Sequence, residues 1–187
     1  MVFPAYSPAL PIALNMALDD EYRARATYRV IVDAYGPVTP FANIVQAEQR
    51  HIEALLPLFQ RYGLAPPYDR WSGNVQAPAS LQAACEAGVQ AEINNYQMYD
   101  RLLTEVAEPD VRAVFSNLRS ASAYHHLPAF QACASAGANQ MPAASVRALA
   151  GERRTSSNLS SIGLRLVAGA GLIWLLTRSS HSLDREV

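Results

Sequence analysis

A chain of 187 residues has room for one hydrophobic core plus a tail, and the roughly 100 to 200 residues typical of a domain argue against two full domains. Half of the residues are hydrophobic, 17% are charged and Ala dominates, as in helices that bury wide faces against one another, which excludes disorder over the first ~140 residues. The net charge is −1, every basic residue is Arg, and no dense Arg run is interleaved with aromatics, so nucleic acid is not an expected partner.

The opening MVFPAYSPALPIALNM lacks a basic n-region and is broken by three prolines, so residues 1–15 read as an N-terminal extension and not as a secretory signal. Asn15 is placed to cap a first helix over 16–35, with Asp19, Asp20 and Glu21 in its first turns and Gly36 and Pro37 to stop it. Thr39 and Pro40 supply a cap and a first-turn proline for a second helix. In it Phe41, Ile44, Val45, Ile52, Leu55, Leu56 and Phe59 recur at helical spacing until Gly63. The short join makes these two helices antiparallel neighbours.

Residues 64–79, LAPPYDRWSGNVQAPA, are too long and too proline-rich for a tight hairpin and predict an extended crossover. A third helix follows from Ser80 to about Val106, carrying Leu81, Ala84, Val89, Ile93, Tyr96, Leu102 and Leu103. Glu108, Pro109 and Asp110 mark a turn. The fourth helix is then expected from Val111 to about Ala136, closed by Gly137, with Pro128 kinking it or ending it early. Residues 16–137 therefore predict an all-α four-helix bundle joined short, long, short, with no alternating strand pattern anywhere. Large apolar faces of this kind often pair, so a homo-oligomer, a dimer in the simplest case, is expected.

Residues 138–187 differ in kind. Six Arg stand against three acids in 145–187, whereas 1–144 holds nine Arg against thirteen acids, so an acidic bundle precedes a basic tail. The polar stretch GERRTSSNLSS (151–161) leads into IGLRLVAGAGLIWLLT (162–177), whose sixteen residues fall short of the ~20 a spanning helix needs. Three readings stand for it: a fifth helix packed on the bundle, a weak membrane tail, or a docking segment for a partner around 156–178. Cys85 and Cys133 have no CxxC spacing and read as small apolar packers, consistent with a reducing, cytoplasmic setting.

The chemistry lies in AEQRH, residues 47–51, where Glu48 and His51 are three apart and project from one helix face. A carboxylate and an imidazole so placed can share a metal ion. One ExxH alone is weak evidence, and its companions decide. The first helix offers Glu21. The third offers Glu92, on one face with Cys85, Gly88, Tyr96 and Tyr99, while Glu86 lies about 120° around. The fourth carries adjacent His125 and His126, about 100° apart, and helical spacing alone does not choose between them. Tyr28 and Tyr96 share faces with Glu21 and Glu92 and can bond a ligand carboxylate or relay electrons, though an aromatic core residue with a satisfied hydroxyl is the commoner use.

Three segments, EYRARATY (21–28), FANIVQAEQRHIEALLPLFQRYGL (41–64) and CEAGVQAEINNYQMYDRLL (85–103) with HLPAF (126–130), resemble the ferritin-like superfamily, particularly small bacterial ferritin-like domains of unassigned function, the DUF2202 type. The resemblance covers about residues 16–132. It implies metal ligands at Glu21, Glu48, His51, Glu92 and His126, and so favours His126 over His125. The departure is in the fourth helix: a second full ExxH would need Glu at 122 or 123, where this chain has Ser122 and Ala123.

The expected function is a metal-binding oxidoreductase of ferroxidase or peroxidase type. Iron, as a pair or a single ion, would react with oxygen or peroxide, and the ligand types also admit manganese or zinc. The rival is a metal-free or structurally metallated helical module that binds a partner protein or a membrane surface through its tail. No CxxC pair is present to deliver electrons, and no glycine-rich phosphate loop or GxSxG elbow supports other chemistry.

Overall fold

The structure, a computed structural model, describes residues 3–139. Expectations for the tail, including the fifth-helix, membrane and docking readings, lie outside the described residues. Within them every regular element is helical: α1 (Leu10–Tyr35), α2 (Phe41–Tyr62), α3 (Leu81–Glu105), α4 (Pro109–Ala121), a π-helical turn (Ser122–His126) and α5 (Leu127–Asn139). None of these helices is long and apolar enough to cross a membrane.

The first helix starts at Leu10, not at 16. The apolar period already begins there: Leu10, Ala13, Leu14, Ala17 and Leu18 are fully buried, and Asn15 lies on the outer face as an ordinary helical residue. Pro11 is tolerated because the first turn has no carbonyl for its missing N–H. Thr39 is likewise not the cap of α2, since Pro40 occupies that position without a side-chain cap. Gly63, at φ 68°, closes α2 in the left-handed region, and Leu64 N–H returns to the Phe59 carbonyl at 2.9 Å. Ser80, where the third helix was expected to begin, caps α3, its hydroxyl accepting from Ala83 N–H at 3.1 Å.

The crossover runs along α1. Arg70 and Trp71 bond Asp19, Asp69 pairs with Arg25 at 2.7 Å, and the Tyr35 hydroxyl donates to the Pro78 carbonyl. A chain that leaves α2 beside the start of α1 and enters α3 beside its end must travel the length of the bundle. The crossover therefore sets α2 and α3 in the same direction. α1 packs on α2 and α3, α3 packs on α4 and α5, and α4 closes on α2.

The fourth helix, expected to 136 with a kink or early end at Pro128, is interrupted before that proline: two helices are joined by a widened turn, and α5 continues through Gly137 to Asn139. Leu127 N–H bonds the Ser122 carbonyl five residues back. Pro128 explains the widening, because its ring would meet the Tyr124 carbonyl in a regular α-helix and it has no N–H to offer.

The core falls into two apolar clusters. One gathers Leu10 to Tyr22 of α1 with Ile52 to Tyr62 of α2, Met98 to Leu102 of α3, and Val111 to Leu118 of α4. The other gathers Tyr28, Ile31, Phe41, Ile44, Val45, Ala84, Cys85 and Phe130. Between the two lie the buried polar residues of α1, α2, α3 and the π-helical turn: Glu21; Glu48 and His51; Glu92 and Asn95; Ser122 and His126. The second cluster closes most tightly at Gly88, where a Cβ would sit 2.5 Å from the Phe130 ring. Gly88→Ala is therefore expected to destabilise the fold by about 1 to 3 kcal/mol, although Ala is the better helix former, as denaturant unfolding would measure; a stabilised variant would contradict this packing.

Candidate metal centre

Five side chains from four helices converge between the two clusters. Glu48 and His51, one turn apart on α2, place Oε2 and Nδ1 2.8 Å apart, and Glu21 of α1 brings Oε2 to 3.1 Å from the same nitrogen. The other oxygen of Glu48 lies 3.2 Å from His126 Nδ1, to which Glu92 of α3 brings Oε2 at 3.4 Å. The two imidazoles stack nearly parallel with centroids 5.4 Å apart. These atoms form two three-residue groups that can each hold a metal ion, Glu21, Glu48 and His51, and Glu48, Glu92 and His126, with Glu48 common to both. All five residues are buried.

The π-helical turn selects the histidine. It directs His126 inward and leaves His125 exposed. The position three before His126, where an ExxH would carry its Glu, is Ala123, while Ser122, one widened turn before His126, is buried beside the site. Its hydroxyl donates to Asn95 Oδ1 at 2.6 Å. Asn95 in turn donates to Asp20 Oδ2 at 2.8 Å and Glu21 Oε1 at 3.4 Å. A neutral Ser–Asn pair thus replaces the fourth carboxylate. Glu86 is exposed and does not substitute for it.

Two buried phenols complete the cluster by exchange between helices. Tyr28, seven residues after Glu21, donates to Glu92 Oε1 at 2.6 Å; Tyr99, seven after Glu92, donates to Glu21 Oε1 at 2.6 Å. α1 and α3 therefore repeat one pattern, a Glu and a Tyr two turns apart, each Tyr serving the other helix's carboxylate. Burial, then the charge of the bonded carboxylate, holds both phenols well above their ordinary value, so they remain neutral donors. Tyr96 plays no such part, its ring lying against the Arg119 guanidinium instead.

Without metal, the imidazoles are the counter-charges of the carboxylates. Burial alone would lower His51, but hydrogen bonds to Glu21 and then Glu48 push it up to about 10; His126, likewise opposed by burial, is pushed up to about 9 by Glu48 and Glu92. Burial would raise Glu48, but the imidazoles of His126 and His51 beside it hold it below the usual carboxylate range, while burial and the Glu48 charge raise Glu21. Both imidazoles carry a proton at neutral pH, and a metal ion must displace it. Loading both groups at pH 7 is expected to release about two protons per chain, read with a pH indicator in weak buffer; release of none would contradict the ligand assignment. Because both folded-state values lie above the ordinary 6.5, the imidazolium pairs stabilise the metal-free fold fully below pH 6.5, and that contribution is lost as pH rises through about 9 and about 10.

The ligand chemistry fits a metal. His126 Nδ1 is buried between two carboxylates yet makes no hydrogen bond to either, and mixed oxygen and nitrogen donors suit iron, manganese or zinc. The Cys85 and Cys133 expectation is corrected: they are joined as a disulfide across α3 and α5, not packed as free thiols. The contact depends on how α3 packs on α5, which a separation of 48 residues does not reveal.

Fold and site together define an all-α bundle with a long crossover around a buried carboxylate and histidine cluster. Residues 13–77 match the family model DUF2202, described as an uncharacterized protein domain, a stretch that carries Glu21, Glu48 and His51. The crystal structure of hypothetical protein MJ0754 from Methanococcus jannaschii DSM 2661 is similar in fold, with a TM-score of 0.66 and 20% identity over 74% of this chain and 86% of that one. No curated protein matches.

Proposed function

We propose that the bundle is an iron-dependent oxidoreductase centre of ferroxidase or peroxidase type, with Glu21, Glu48, His51, Glu92 and His126 as ligands. The observation that carries this reading is the sharing of Glu48: its two carboxylate oxygens face His51 and His126, so one side chain can join two metal positions. Iron bound there would supply one-electron steps toward oxygen or peroxide.

The chain's own residues do the rest. The two apolar clusters above and below the site exclude bulk water, which strengthens every charge interaction at the centre. Tyr99 and Tyr28 each fix one oxygen of Glu21 and Glu92, leaving the second oxygen of each for a metal. Asn95 and Ser122 hold the fourth side neutral, so three carboxylates would oppose two divalent ions and leave an excess positive charge for an anionic ligand such as hydroperoxide. A cytoplasmic setting belongs to the same reading, with the cysteine pair as a reversible bond.

The test is peroxide consumption by the ferrous-loaded full chain, followed with ferric absorbance. Turnover lost in the Glu48→Ala/His51→Ala chain supports the reading, and equal rates in both proteins reject it. One observation favours the rival metal-free module: with Ser122 in place of a carboxylate, three carboxylates and two imidazoliums already come close to balance without an ion. In that case neither protein would retain iron, and the docking partner expected for the tail would be the object to seek.

A further inference from the structure

Electron supply is the part of this chemistry that the ligand cluster does not contain. Among the described residues the remaining two-electron thiol couple is Cys85–Cys133, with Cα atoms 5.6 Å apart. Each cysteine stands seven residues from a proposed ligand on its own strand of helix: Cys85 before Glu92, Cys133 after His126. Seven residues are nearly two turns, so both sulfurs lie on ligand-bearing faces, roughly 10 Å along the axes from the cluster.

Aromatic rings fill the space between. Tyr28 donates to Glu92 and packs on Phe130 with centroids 5.0 Å apart; Phe130 presses on Gly88, one turn from Cys85. Tyr28, Phe130 and Cys85 are all buried in one cluster. In the other direction the pair opens outward. Cys133 is half-buried, and both cysteines line a surface groove of about 680 Å³ walled by Thr39, Pro40, Leu81 and Ala132. One side of the pair is thus open to a dithiol from solution, and the other faces the cluster through one phenylalanine and one tyrosine. A disulfide that served only to staple α3 to α5 would need neither the opening nor the path.

We propose that Cys85 and Cys133 form a reversible two-electron relay that reduces the centre during peroxide turnover, an inference that rests on the metal-centre reading above. In the forward step the two thiols give up two electrons and two protons as the S–S bond forms. At the cluster the O–O bond of hydrogen peroxide breaks and takes up two electrons and two protons, leaving two waters. Tyr28 passes the electrons one at a time. An external dithiol then attacks Cys133, the more accessible sulfur, and departs as its own disulfide, restoring both thiols.

The experiment uses the full chain, loaded with ferrous iron, reduced with dithiothreitol, desalted without oxygen and mixed with one equivalent of hydrogen peroxide. Free thiols are titrated over time, intact mass is recorded, and iron is measured on the same sample. The expected result is loss of both thiols and of two hydrogens in mass, at least about ten-fold faster than in the Glu48→Ala/His51→Ala chain, where only direct attack of peroxide on the thiols through the groove remains. Thiols that survive in the iron-loaded chain, or vanish equally fast in the ligand variant, would overturn the relay and leave a structural staple. Absence of iron from the wild-type sample would remove the metal-centre reading, and the relay with it, through a separate readout.

Discussion

Glu48→Ala is expected to abolish binding at both metal positions, whereas Glu92→Ala should leave one ion per chain at Glu21, Glu48 and His51. The asymmetry follows from the geometry: Glu48 belongs to both ligand groups and Glu92 to one. Partners outside the ligand set typically change metal affinity by about 10 to 100-fold, so loss of the shared ligand should exceed about 100-fold at both positions. Equilibrium dialysis against ferrous iron, with helix content followed by circular dichroism, reads the two variants side by side. Equal occupancy in the two variants would show that Glu48 does not join the positions. The helices should persist, because the apolar clusters on either side of the site do not depend on the ion.

The second large effect is expected at Phe130→Ala. This ring is fully buried, packs on Tyr28 and Phe41 with centroids 5.0 Å away from each, and fills the space that Gly88 leaves open. Removing it costs the transfer of a large apolar side chain plus a cavity, about 3 to 5 kcal/mol, which lowers Tm by roughly 10 °C in a chain of this size. The cavity would lie beside Tyr28, which fixes Glu92, so the second metal position should weaken more than the first. A loss below about 1 kcal/mol in denaturant unfolding would mean that α5 does not anchor the cluster this way.

Much of the candidate site was legible because its buried carboxylates lie on regular helices. Glu48 and His51 announce themselves by spacing, and Glu92 was separable from Glu86 by the face it shares with Tyr99. His126 was not separable from His125 by α-helical geometry, because the turn that turns it inward is π-helical and depends on where the chain accommodates Pro128. Asn95 was missed, and Ser122 was noted only as a missing carboxylate, since short polar residues within a helix ordinarily face water; their bond to each other, and that of Asn95 to Glu21, distinguish them. Tyr99 was placed on the Glu92 face, but its bond to Glu21 was not foreseen; the signal for it was the repeat of a Glu and a Tyr seven apart on α1 and α3. The first helix was placed too late because Asn15 resembles a cap, although the apolar period runs upstream of it. The short, long, short connections sufficed for the fold, because a long crossover beside two tight joins leaves few ways to bury four apolar faces.

The central claim, that the cluster is a metal centre, is tested most directly by elemental analysis of full-length protein purified from iron-supplemented cells, beside the Glu48→Ala/His51→Ala chain. The account predicts one to two irons per wild-type chain, about one for each ligand group at most, and none in the variant. Metal absent from the wild type, or retained equally by the variant, would contradict it.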